Sequence, residues 1–224
     1  MAPLPRHVSA LALWATAGVV AVGATPGASP AQGPEAQARA SAAVDPRVAR
    51  ADEARIAGRP DAKLWVLMVS DFQCPYCKQW HDEVGKAFNR EFVSTGKVRL
   101  AYVHFPLRVH ANAQPAAEAS MCAGAQGKFW EYHDRLFATV ARWGTKETPS
   151  PEFLAIAKGL GLDSTQFTAC LSERLMQPMV AADQQRGRNL NVRSTPTFFV
   201  GNTMIEGAAS LQALRSAVNQ ALPK

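Results

Sequence analysis

Residues Lys63–Cys77 read KLWVLMVSDFQCPYC. Leu64 to Val69 is an almost unbroken apolar run of strand length, the pattern of a strand buried on both faces of a parallel sheet. Ser70, Asp71 and Gln73 break the run, and Cys74-Pro75-Tyr76-Cys77 opens a helix. Pro75 fits the first helical position, where the missing N–H has no intrahelical partner to lose. Cys74 is thereby placed at a helix N-terminus, whose dipole and free N–H groups favour negative charge. A thiolate is the nucleophile of disulfide exchange, and an unperturbed cysteine holds only a few per cent of it at neutral pH. A strand, a short loop and C-x-x-C on a first helical turn therefore point to redox chemistry.

Outward from this stretch, Trp80, Val84, Phe88 and Phe92 continue one helical face with Cys77, and Gly85 marks a weak point in it. Gly96 ends the helix. Val98 to Phe105 is a second apolar strand stopped by Pro106, so the two strands are expected to be parallel with a right-handed crossover. Ala111 to Arg188 reads as helical. It holds an Ala-rich segment, a stripe of Phe129, Trp130, His133, Leu136 and Phe137 read as core, a helix from Ser150, another capped by Asp163, and one from Pro178. Strands return at Pro196–Val200 and Thr203–Ile205 around Gly201-Asn202, and Ser210 caps a last amphipathic helix. Upstream, Pro46 to Ile56 suits a helix or a short edge strand equally, and Arg59-Pro60-Asp61 turns into the first strand. Within the fold-bearing part, 61–110 and 189–224 make one α/β core, 111–188 an all-helical insertion, and 32–60 a lead-in.

The chain has 224 residues, 47% of them hydrophobic, enough for one domain with a large insertion. A net charge of +6 without blocks of Lys or Arg reads as a solvated basic surface and gives no ground for a nucleic-acid partner. Arg6 and His7 precede an apolar run from Val8 to Ala24, followed by small residues and prolines through Pro34. This is the layout of a secretory signal over 1–31, with cleavage after Ala24 or Ala31. An uncleaved membrane tether is the competing reading, against which Gly18 and Gly23 count. Either way the expected location is periplasmic or otherwise extracytoplasmic, where disulfides persist.

Of the four cysteines, Cys74 and Cys77 are partners by spacing, which leaves Cys122 with Cys170 as a structural disulfide or, less simply, an electron relay. The spacing C-x2-C-x44-C-x47-C is unlike the paired motifs of zinc ribbons. No metal and no cofactor is expected. His81 and His104 fall near the motif and are read as satisfied structural histidines.

SDFQCPYC, FPL at Phe105–Leu107, QGKFWEYHDRLF at Gln126–Phe137 and TPTFFVG at Thr195–Gly201 together closely resemble the DsbA-like family of thiol–disulfide oxidoreductases. The resemblance implies a thioredoxin fold, β-α-β then β-β-α, with a helical domain inserted between the halves. It also implies roles. Cys74 would be the exposed, low-pKa nucleophile and Cys77 its buried partner. Pro196 would be the family's cis-proline, and Thr195 would present backbone to a substrate chain. Two departures stand out. Where the family often has a buried Glu, six residues before the first cysteine, this chain has Met68, so a proton relay must be absent or supplied by water or another group. Pro75-Tyr76 replaces the Pro-His of the strongest oxidases and implies a milder oxidant.

The expected function is disulfide donation to unfolded or folding exported proteins by a monomer, with a membrane or soluble redox partner resetting the site. A reductase or isomerase is the first alternative, suggested by Pro-Tyr and Thr195. The second is a chaperone-like binding protein with an incidental C-x-x-C.

Overall fold

The computed structural model describes residues 44–222. The expected secretory signal over 1–31 and the lead-in through Ala43 lie outside the described residues. Asp45 caps the first helix, α1 (Pro46–Ala54), by accepting from the Arg47 N–H at 2.8 Å. Two residues later the chain forms a short strand, β1 (Ile56–Ala57), so both readings of this segment hold in succession. The sheet thus begins before the Asp61 boundary expected from sequence.

The central strands are β2 (Leu64–Ser70) and β3 (Val98–His104), paired in parallel from Leu64 opposite Val98 to Ser70 opposite His104. A helical run over 75–93, α2, crosses between them. It is not one regular helix: π-helical turns at His81–Gly85 and Asn89–Val93 interrupt it. A side chain on Gly85 would press to 3.3 Å on the Trp80 ring, a close approach that glycine permits. After the helical segment come β4 (Thr197–Val200) and β5 (Thr203–Glu206), hairpin-linked at Gly201 with φ 56°. β4 lies antiparallel to β2, giving the sheet order β1-β3-β2-β4-β5.

Between β3 and β4 the chain is helical: α3 (Ala113–Gly124), α4 (Phe129–Ala138), α5 (Val140–Trp143), α6 (Ser150–Gly159), α7 (Ser164–Ser172) and α8 (Gln177–Asn189). The Asp163 cap forms as its pattern predicts, accepting from the Gln166 N–H at 2.9 Å. Ser210 likewise caps α9 (Leu211–Ala221). A disulfide joins Cys122 of α3 to Cys170 of α7.

The insertion does not keep a core of its own. Val66, Met68 and Leu100 of the sheet, Trp80, Phe88 and Phe92 of α2, and Phe129, Tyr132 and Phe137 of α4 belong to one continuous buried cluster. A small second cluster, Val69, Val103 and Val192, covers the other face of the sheet. It reaches only one end of β2. Trp65 is 42% exposed, so this strand is buried on both faces only toward its C-terminal end. The Arg99 guanidinium, opposite Trp65 in register, covers that indole at 4.6 Å instead.

One buried ion pair ties the periphery to the sheet. Arg55, just after α1, pairs with Asp183 of α8 and donates to the Tyr102 carbonyl at 3.1 Å. Asp183 also accepts the His104 backbone N–H at 3.0 Å. α8 comes so close that a Cβ on Gly187 would lie 2.5 Å from the Phe105 ring.

Candidate active site

Cys74 is the N-cap of α2 and Pro75 its first residue, as the local pattern dictates. What surrounds the pair comes from distant segments. The Thr195–Pro196 bond is cis. The Thr195 carbonyl accepts from the Cys74 thiol, Sγ to O 3.3 Å. Cys77, one turn into the helix, is buried, and its Sγ accepts from the Asp71 backbone N–H at 3.5 Å.

The pKa values of the two thiols are driven in opposite directions. The Cys74 pKa is pushed down to about 5, chiefly by a hydrogen bond from the Cys77 thiol. Burial opposes this, and the Thr195 side chain and the N–H groups of Cys77 and Tyr76 add to it. Thr195 Oγ1 is itself buried and otherwise unpartnered. Cys77 is pushed up, first by burial and then by donating to Cys74 and facing its charge. One cysteine is thus built to be a thiolate and the other to stay protonated beside it.

Cys74 departs from expectation in one respect. It is 4% exposed rather than open to solvent, and Tyr76, at 63%, is the motif residue that projects. A loop, residues 105–112, is drawn in beside the motif by Asp71 and Gln73. The buried Asp71 carboxylate accepts from the Leu107 N–H at 2.9 Å, from His110 Nδ1 at 2.7 Å and from the Gln73 N–H at 2.7 Å. Gln73 in turn accepts from the Asn112 N–H at 2.8 Å and donates to the Gly144 carbonyl at 2.8 Å.

Asp71 was missed as a site residue by pattern alone. Met68, where a relay carboxylate was sought, is buried in the apolar core, whereas Asp71 touches both cysteines through its backbone: its N–H meets Cys77 Sγ, and its carbonyl accepts the Cys74 N–H at 3.2 Å. The cue in the sequence was an acidic residue inside the strand-to-helix turn, where an unpartnered carboxylate is costly. Phe129 and Phe137 are core, as expected. His104 is buried, but its Nε2 has no hydrogen-bond partner, so it is not the satisfied histidine expected. Both ring nitrogens of His81 meet carboxylates: Nδ1 lies 2.9 Å from Asp82 and Nε2 3.0 Å from Asp134. With His133 it forms, among the described residues, a group of donor atoms within 4.8 Å of one another.

Residues 50–220 match the family model described as Thioredoxin. The Na(+)/H(+) antiporter NhaA 1 of Salinispora arenicola is 35% identical over 171 residues, which cover 76% of this chain but 25% of that protein. The chain therefore spans about a quarter of the antiporter relatives it matches. A probable disulfide bond formation protein D of Bacillus anthracis is 26% identical, covering 75% of this chain and 77% of that one. In three dimensions BdbD of Bacillus subtilis superposes with a TM-score of 0.68 at 20% identity, over 75% of this chain and 91% of that one. At that identity the likeness carries the fold, inserted helices included. The family match over most of the chain and the shared fold lead to one assignment: the chain belongs to the thioredoxin family.

Proposed function

We propose that this protein is an exported thiol–disulfide oxidoreductase that passes the Cys74–Cys77 disulfide to cysteines of folding proteins. The observation that carries this reading is the split between the two sulfurs: Cys74 near a pKa of about 5 and Cys77 pushed up beside it. A substrate thiolate attacks Cys74 Sγ, the S–S bond to Cys77 breaks, and Cys77 leaves as a thiolate that takes up a proton. A second substrate thiolate then attacks the substrate sulfur of the mixed disulfide and Cys74 departs as the stabilised thiolate. The substrate is oxidised and the enzyme pair reduced, with Cys74 the better leaving group. Thr195 lies against Cys74 with Pro196 after it, and the exposed Tyr76 offers an apolar contact suited to unfolded chains.

The name of the Bacillus anthracis relative favours disulfide formation. The antiporter likeness falls on the thioredoxin-family segment, and among the described residues no helix is long and apolar enough to cross a membrane. A secreted or periplasmic setting follows from the signal-like Arg6–Ala24 layout, and a separate redox partner must reoxidise the pair.

The reduction potential, measured by equilibration with glutathione, tests the direction. Donation requires a value well above the thioredoxin end of about −270 mV, and the absence of a histidine in the motif keeps it below about −120 mV. A couple as reducing as thioredoxin replaces the donor reading with a reductase. Replacing Cys74 and Cys77 by Ser removes exchange, and any binding of unfolded protein left over belongs to a chaperone activity.

A further inference from the structure

We propose that His81, His133 and Asp134 form a binding site for a divalent d-block cation of the zinc class, at the joint between α2 and α4. His81 opens the first π-helical turn of α2, four residues beyond Cys77, and the other two are adjacent on α4. Asp134 Oδ1 lies 3.0 Å from His81 Nε2 and 2.8 Å from His133 Nδ1. Zinc holds nitrogen and oxygen ligands at about 2.0–2.1 Å in a tetrahedron, which sets them roughly 3.3 Å apart. The three atoms already stand within 4.8 Å of one another, so small side-chain adjustments complete the geometry.

A second, independent feature points the same way. His81 meets a carboxylate on each side. Its Nδ1 lies 2.9 Å from Asp82, which Lys78 holds in turn at 2.6 Å. An outer carboxylate on the far ring nitrogen is the usual support of a metal-ligating histidine, because it fixes the tautomer and turns the other lone pair toward the metal. In the metal-free protein the His81 ring donates to both carboxylates, and a cation would take the place of the proton shared between Nε2 and Asp134.

His133 fits the same assignment. Its ring is buried among Phe72, Tyr102, Trp130 and Phe137, with centroids at 5.6, 5.2, 5.1 and 5.1 Å, and Nε2 has no hydrogen-bond partner. A proton on Nε2 is surrounded by π-systems that tolerate an N–H, whereas a bare lone pair gains nothing there. In the metal-free protein Nδ1 donates to Asp134 at 2.8 Å, so ligation through Nδ1 moves the ring proton to Nε2. The remaining coordination positions open toward a cavity of about 330 Å³ that Asn89 and Lys86 also line. Two imidazoles and one carboxylate select zinc, copper, nickel or cobalt over calcium and magnesium, which prefer oxygen alone.

The test uses the full chain carrying Cys74→Ser and Cys77→Ser, so that the active-site thiolates cannot capture the metal. Calorimetric titration with zinc should give one saturable site per chain, unaffected by excess calcium, and zinc should raise the melting temperature. Cobalt(II) should give the visible bands of a bound low-symmetry site. Asp134→Asn, at an exposed position that the fold tolerates, should weaken binding at least tenfold, as should His81→Gln. Asp82→Asn, which touches no metal, should weaken it by about tenfold through His81 alone. Absence of saturable binding, or binding equally tight in Asp134→Asn and His81→Gln, overturns the proposal.

Discussion

The reactivity of Cys74 gives the sharpest check on the electrostatics of the site. With a pKa of about 5, Cys74 is almost wholly thiolate at neutral pH. An ordinary cysteine near 8.5 is about 3% thiolate at pH 7, so the gain in thiolate is about thirtyfold. Nucleophilicity falls with basicity, by roughly fortyfold across 3.5 units at a Brønsted slope near 0.45. The two effects nearly cancel, and a single alkylation rate at neutral pH carries little information. The pH profile separates them. Reaction with iodoacetamide in the reduced protein should be flat from about pH 9 to about pH 6, whereas an ordinary thiol slows tenfold per unit. Its midpoint should fall near the Cys74 value of about 5. Since the Cys77 thiol is the largest stabilising contact, Cys77→Ala removes a hydrogen bond to a charged group. Such bonds contribute about 1.5–3 kcal/mol, or roughly 1–2 pKa units. The variant midpoint should therefore rise to about 6–7. Mass mapping should find Cys74 modified first. A wild-type midpoint in the ordinary thiol range, or the same midpoint in Cys77→Ala, refutes the reasoning.

Removing the Cys122–Cys170 disulfide, which spans 48 residues, should cost about 4 kcal/mol by the loop-entropy model. The double Ser variant should then melt roughly 8–16 °C lower while keeping exchange activity per folded molecule; intact stability with lost turnover would mark the pair as redox-active. Asp183→Ala leaves the Arg55 guanidinium with Asp52 and the Tyr102 carbonyl but without its buried carboxylate, and should cost about 1.5–3 kcal/mol, read as a lower urea midpoint. Burial, then the charges of Arg55 and His133, hold the His104 pKa well below 6.5. Its contribution to stability is thus complete above about pH 6.5 and is lost as pH falls toward the depressed folded value, by up to about 1.4 kcal/mol per pH unit. His104→Phe should remove one proton's worth of that slope in urea midpoints taken at several pH values, and an unchanged slope counts against it. Tyr76→His, at the exposed motif position, should raise the reduction potential and lower the Cys74 pKa together; movement in opposite directions would break the link between thiolate stability and oxidising strength.

Much of the molecule is legible locally. The apolar run of β2, Pro75 at the first helical position, the Asp163 and Ser210 caps and the Gly201 turn each specify their element through contacts a few residues apart. Their order, β-α-β, then helices, then β-β-α, is the order observed from β2 onward, with α1 and β1 added in front of it. The nucleophile's position at a helix start is equally local, and so is the pairing of Cys74 with Cys77.

Other features exist only once distant segments meet. Thr195 touches Cys74 across 121 residues, and Asp71 meets His110 across 39. Arg55 finds Asp183 across 128, and His81 finds Asp134 across 53. In each case a polar or charged side chain is buried, or half-buried, against a partner that no local periodicity can name. Hydrophobic spacing says which face of an element turns inward, but the partner of a buried charge depends on which elements share that interior. The exposed Trp65 carries the same lesson for apolar residues. A continuous hydrophobic run fixes a strand but not what covers each face, and here the second cluster, with Val192, reaches only the end of the strand nearest the cysteines.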